Sequence, residues 1–135
     1  MAKTKAQKNK VIEKNNADIK TATNLIFTDF GSSFIPELKQ AFGETFVVID
    51  HHQQGTGKHE WHVNPMEFGL EGSREISAAG ISYLIAREMS AKNRDLAALG
   101  VVGAVGDMQD YESPEGRLMG LNEQIISDGM DADVL

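Results

Sequence analysis

Asp50, His51 and His52 stand in a row at the end of an apolar run, TFVVIDHH, over residues 45–52. A carboxylate and two imidazoles can hold a divalent cation, carry a proton, or do both. Two more acids lie at comparable junctions. Asp29 ends the apolar stretch Leu25 to Thr28, and Asp107 follows the glycine-rich VVGAVG. Taken singly, each has a plainer reading: Asp29 as a turn or capping acid, Asp107 as a helix-end residue, and a histidine pair as surface. Asp-His-His directly at the end of a strand is much harder to assign that way. The chain has no cysteine, which excludes thiolate metal sites, disulfides and Cys nucleophiles. A donor set of carboxylates and imidazoles suits Mn²⁺ or Mg²⁺ better than structural zinc.

His59 and His62, with Trp61 beside them, form a second and weaker cluster. Three residues apart in a glycine-bearing segment, they read as a mobile loop with an amphipathic aromatic rather than as a second metal site.

The elements that must position these groups are legible in outline. LIFT at 25–28 and TFVVI at 45–49 read as strands. Between them FIPELKQAF reads as a helix with Pro36 in its first turn, Ser32 or Ser33 as its N-cap and Gly43 as its stop. Short connections in a β-α-β unit predict parallel strands, and their continuous apolar character predicts burial on both faces. In open parallel sheets ligands bind beyond the carboxyl ends of the strands, where Asp29 and Asp50 fall. Residues 51–75 have no sustained period and read as a long irregular segment. ISAAGISYLIAREM reads as a helix with Ile76, Ala79, Gly80, Tyr83 and Leu84 near one face. RDLAALGVVGAVGD reads as a helix apolar all round and therefore buried, its Gly100, Gly103 and Gly106 suited to close helix packing. A last helix is expected to start near Pro114 and to end at Gly129.

Length fits one domain, at 135 residues. The net charge of −7 is unevenly spread: six lysines face only Glu13 and Asp18 in the first 20 residues, so the rest is more acidic than the total. An acidic body argues against broad electrostatic binding of nucleic acid and fits a site that gathers carboxylates around cations. Residues 1–22 read as a solvated or frayed helical segment, and 23–135 as the folded domain. There is no signal-peptide core and no apolar run of membrane-spanning length, so the expectation is cytoplasmic with no membrane partner.

With these residues in view, VVIDHH resembles the name-giving motif of the DHH phosphoesterase superfamily. IFTDFGSS resembles the motif before it, ISAAGISYLIA the small-residue helix motif, and VVGAVGDMQD the following Asp motif. The wording of HVNPMEFGLEGSREISAAGISYLIARE and GRLMGLNEQIISDG is most similar to archaeal RecJ-like single-strand exonucleases associated with the replication factor GINS. The resemblance covers roughly residues 24–130. It implies an α/β fold, the parallel sheet of a DHH domain with flanking helices. It also implies Mn²⁺- or Mg²⁺-dependent phosphodiester hydrolysis on single-stranded DNA or RNA at a two-metal site. Asp29, His51 and Asp107 would then be metal ligands, Asp50 would support the histidines, and His52 would contact the scissile phosphate. Ser77 and Gly80 would lie near the substrate. Two features of that family have no counterpart here: the first strand with its His-x-Asp-x-Asp motif, and the C-terminal substrate domain. The expectation is therefore an incomplete domain with an exposed sheet edge, at most one weakly held ion and no activity alone. The rival expectations are a non-catalytic module docking on a GINS-like partner, or half of a split enzyme completed by a complementary chain.

Overall fold

The computed structural model describes residues 24–111, 113 and 115–135. The lysine-rich segment and Pro114 lie outside these residues, but the last helix does not start near Pro114: residues 115–120 contain no helix, and it begins at Leu121, after Gly120 with its positive φ of 60°. Within them the chain is α/β: a small parallel sheet with several helices. Strand β1 (Leu25–Thr28), helix α1 (Ile35–Phe42) and strand β2 (Phe46–Ile49) form the expected β-α-β unit, with Leu25 opposite Phe46 and Thr28 opposite Ile49.

Side chains alternate across β2, which lets it serve two cores. Phe46 and Val48 pack with Leu38 of α1 and with Leu25, Phe27 and Phe42. Ile49 joins Ile76, Ile81, Tyr83, Ala97 and Ile125, with Val47 packed against the same cluster. The second cluster is supplied by three helices: α2 (Ala78–Met89), α3 (Ala97–Gly106) and α4 (Leu121–Asp131). A 3-10 turn, Ala91–Leu96, leads into α3.

Four further local expectations are corrected. Residues 51–75 are not wholly irregular: His62–Val63 form a third strand, β3, parallel to β2, and a 3-10 turn follows at Pro65–Phe68. Pairing with an existing edge, not any period of its own, makes this strand. Neither Ser32 nor Ser33 caps α1. The residue before that helix is Phe34, with no side-chain cap, because the Ser33 hydroxyl donates to the Gln53 carbonyl and Ser32 is drawn into the sheet end. Gly129 lies inside α4, which runs on to Asp131, because a glycine there leaves room for Leu135 and Ala97. Finally, α3 is not buried all round: Leu99 and Val102 are about two-thirds exposed, at 65% and 67%.

The glycines of α3 act largely as expected. A Cβ at Gly103 would overlap that of Ala79, and one at Gly100 would press on Ile125, so α3 packs closely on α2 and α4; Gly106 has no such neighbour. Gly43 ends α1 with a positive φ of 69°. In the described residues no strand pairs with the outer edge of β1, where Ile26 is exposed. No described helix is long and apolar enough to cross a membrane.

Candidate functional site

The carboxyl ends of β1 and β2 lie side by side, and the backbone N–H of Asp29 donates to the Ile49 carbonyl at 2.9 Å. Asp29 has a left-handed backbone, φ 62°, which aspartate tolerates better than most residues. Gly31 follows with φ 130°, and a Cβ there would lie 2.9 Å from Val48 Cγ1. Strand β1 therefore turns sharply as it ends, with the Asp29 side chain exposed beside the end of β2.

Asp50 is buried and works as an acceptor. Its Oδ2 takes the Ser32 N–H at 2.8 Å, and its Oδ1 takes the N–H groups of His51 at 2.9 Å and His52 at 3.2 Å. The His52 ring adds a fourth bond, Nδ1 to Oδ1 at 2.7 Å. Burial pushes this carboxyl up, but the Ser32 and His52 donors outweigh it and hold it at about 2. The His52 imidazole is raised in return, first by its bond to Asp50, against a smaller effect of burial. With Nδ1 engaged, Nε2 is the His52 nitrogen left for chemistry, on a side chain 59% exposed.

His51 is buried and held at both ring nitrogens. Nδ1 lies 2.7 Å from the Gly72 carbonyl; Nε2 lies 3.1 Å from Asp29 Oδ1 and 3.6 Å from Asp107 Oδ2. A carbonyl only accepts, so Nδ1 carries the proton and a neutral ring turns its Nε2 lone pair toward two carboxylates. Acceptors converging in this way repel one another unless a proton or a cation sits among them. One ligand atom from each of Asp29, His51 and His52 lies within 4.8 Å of the others. Asp107 reaches the group from the end of α3, where its N–H closes the helix on Gly103 and the next residue, Met108, has φ 57°.

Three clefts meet at this cluster. One, of about 470 Å³, contains His51, His52, Glu71, Asp107 and Gln109. A second runs from Asp29 and Asp107 along Ser82, Tyr83 and Leu99. A third holds Asp29, Asp50 and His52 beside Phe30 and Phe34, whose half-exposed rings stack with centroids 5.1 Å apart. Ser77 and Gly80 are both buried in packing: the Ser77 hydroxyl caps α2 by accepting the Gly80 N–H at 3.0 Å, and a Cβ at Gly80 would press on Ile125 and Ile76.

The second histidine cluster separates into two structural residues. His59 stacks on Phe46 at 4.0 Å, with Nε2 2.7 Å from the Phe46 carbonyl. His62 lies in β3, with Nε2 2.8 Å from Ser32 Oγ and Nδ1 3.2 Å from Glu67. His62 is built into the sheet edge, whereas His59 lies in the irregular segment before it, anchored on Phe46. Glu67, His62 and Ser32 have the connectivity of a nucleophile relay, but Ser32 is fully buried and its Oγ also accepts from Asn64. It is spent on structure.

Sequence reasoning missed the groups that hold His51: the Gly72 carbonyl, Gln109 and Asn122. A buried amide far away in the chain leaves no periodic signal.

No family model matches this chain. It is similar to the uncharacterized protein MJ0831 of Methanocaldococcus jannaschii, 38% identical over 112 residues, which is 78% of this chain and 24% of that protein. The chain thus spans about a quarter of the relative it matches.

Proposed function

We propose that this chain carries part of the active site of a metal-dependent phosphodiesterase of the DHH type, acting on single-stranded nucleic acid in the manner of the RecJ-like exonucleases. The observation that supports it most is the convergence of Asp29 Oδ1 and Asp107 Oδ2 on His51 Nε2, at 3.1 and 3.6 Å, beside the carboxyl ends of two parallel strands. Two carboxylates and imidazoles without sulfur are a donor set for Mn²⁺ or Mg²⁺. Asp29, His51 and Asp107 would hold the ion, and His52, oriented by Asp50, would present Nε2 to a phosphate oxygen. A bound divalent ion supplies a water nucleophile and charge neutralisation for phosphodiester cleavage. Phe30 and Phe34 offer an exposed aromatic surface on which an unpaired base can stack.

The described residues offer ligands for one ion, held weakly. Two-ion catalysis needs carboxylates from another part of a larger protein or from a complementary chain, so this chain alone is expected to bind and not to cleave. A binding role on a GINS-like replication partner is the second reading, favoured by the exposed apolar residues Ile26, Leu99 and Val102.

Titration of the chain with Mn²⁺, followed by heating and by incubation with labelled single strands, tests the proposal. The expected result is saturable Mn²⁺ binding and a thermal shift, both lost in Asp107→Ala, without strand cleavage. Cleavage that Asp107→Ala abolishes would show the chain to be complete. No Mn²⁺ or Mg²⁺ binding would overturn the metal reading and leave the binding module.

A further inference from the structure

We infer that Gln109 and Asn122 form a positioning clamp for the His51 imidazole, acting through the Gly72 carbonyl. The geometry stands by itself; its consequence for cation affinity rests on the metal reading above.

The Gly72 oxygen accepts two bonds, from His51 Nδ1 at 2.7 Å and from Gln109 Nε2 at 2.8 Å, which uses both of its lone pairs. Gln109 is fixed in turn: its Oε1 accepts from Asn122 Nδ2 at 2.7 Å. That same nitrogen donates to the Arg74 carbonyl at 3.2 Å, and the Asn122 backbone N–H donates to the Glu75 carbonyl at 3.1 Å. Both amide side chains are 1% exposed. The orientation of each is settled by its partners, since Gly72 and Arg74 offer only carbonyl oxygens. Asn122 Oδ1 is left buried without a hydrogen-bond partner among the described residues. An unmade buried bond is costly, so this arrangement favours donors on the two carbonyls over full satisfaction of the amide.

The clamp matters because residues 70–77 contain no helix or strand to fix the direction of the Gly72 carbonyl. Gly72 also approaches His51 so closely that a Cβ would overlap the His51 carbonyl oxygen. Tied to the loop after α3 through Gln109 and to α4 through Asn122, the carbonyl keeps the proton on Nδ1 and aims Nε2 at Asp29 and Asp107. Without it the ring can turn over and present the wrong nitrogen. A hydrogen-bond partner of this kind commonly changes metal affinity by roughly 10–100-fold.

The test uses the full chain with Gln109→Met, which removes both amide bonds at similar volume, and Asn122→Ala, which frees Gln109 at one end. Two quantities are read: the protonation of His51 Nδ1 in metal-free protein by ¹⁵N NMR, and the Mn²⁺ dissociation constant from the paramagnetic resonance of the free ion. The wild type is expected to show Nδ1 protonated. Gln109→Met should show Nδ1 partly unprotonated and Mn²⁺ bound roughly tenfold more weakly or worse, with Asn122→Ala shifted less in the same direction. Wild-type values of both quantities in Gln109→Met, even with a lowered melting temperature, would reduce the pair to core packing. Should Gln109→Met fail to fold, unchanged values in Asn122→Ala overturn the clamp equally. If the wild type itself binds no Mn²⁺, the metal reading fails and the Nδ1 signal alone decides the clamp.

Discussion

His52 Nδ1 lies 2.7 Å from Asp50 Oδ1, and that one oxygen also accepts the backbone N–H groups of His51 and His52. A single carboxylate oxygen therefore fixes both the ring of His52 and the path of the chain through the histidine pair. Asp50→Ala strands the buried N–H groups of Ser32 and His51, and the expected loss is about 3 kcal/mol or more. Asp50→Asn keeps one acceptor and should lose less. Urea denaturation measures both, and a near-neutral Asp50→Ala would contradict the role given to this residue.

Asp29 separates stability from binding. Its side chain is exposed and its backbone is left-handed, a conformation that asparagine also accepts. Asp29→Asn should leave stability within about 0.5 kcal/mol of wild type. Mn²⁺ affinity should fall by more than the roughly tenfold expected of a residue that only orients a ligand. Calorimetric titration beside a thermal melt compares the two, and equal Mn²⁺ affinity would remove Asp29 from the ligand set.

Gly72→Ala probes the close approach to His51. The added methyl overlaps a backbone oxygen, not a flexible side chain, so the loop must shift, at a cost of about 1–3 kcal/mol. The melting temperature and the exchange protection of the neighbouring amides should fall together.

Acid should weaken the helical layer through Asp128. Its Oδ2 accepts from Arg87 Nη1 at 2.6 Å and from the Tyr83 hydroxyl at 2.9 Å, joining α2 to α4. Burial pushes this carboxyl up, but Arg87 and Tyr83 outweigh it and lower it below its ordinary 3.8. Because the folded value is the lower one, the unfolded chain takes up the proton first as pH falls. The contribution is thus fully present above the ordinary value and is lost as pH drops toward the folded one. Asp128→Asn should be less stable near neutrality and show a flatter decline in urea midpoint between about pH 6 and about pH 3.

The sheet end was legible because its signals are local. Apolar runs punctuated by Pro36, Gly43 and the terminal acids define β1, α1 and β2, and the strand-end rule brings Asp29, Asp50, His51 and His52 together. Strand β3 was not legible, since two residues, His62 and Val63, carry no period and become a strand only by pairing with Val48 and Ile49. The exposure of Leu99 and Val102 was hidden because apolar composition states a preference for cover without saying what provides it. Ser32 has the type and place of a helix cap, yet its N–H and hydroxyl serve Asp50 and His62. Such choices depend on partners 18 and 30 residues away.

The shared Gly72 carbonyl also has a consequence for the order of folding. His51 lies 21 residues before Gly72, Gln109 lies 37 after it, and Asn122 lies 13 further on. A chain made from its N-terminus can pair β1 with β2 early, since that closure is short. On the clamp inferred above, the His51 imidazole is fully held only when α4 has emerged and docked. During synthesis the sheet precedes the geometry at its rim, and a nascent chain stopped before Asn122 would hold His52 on Asp50 but leave the His51 clamp untied at one end.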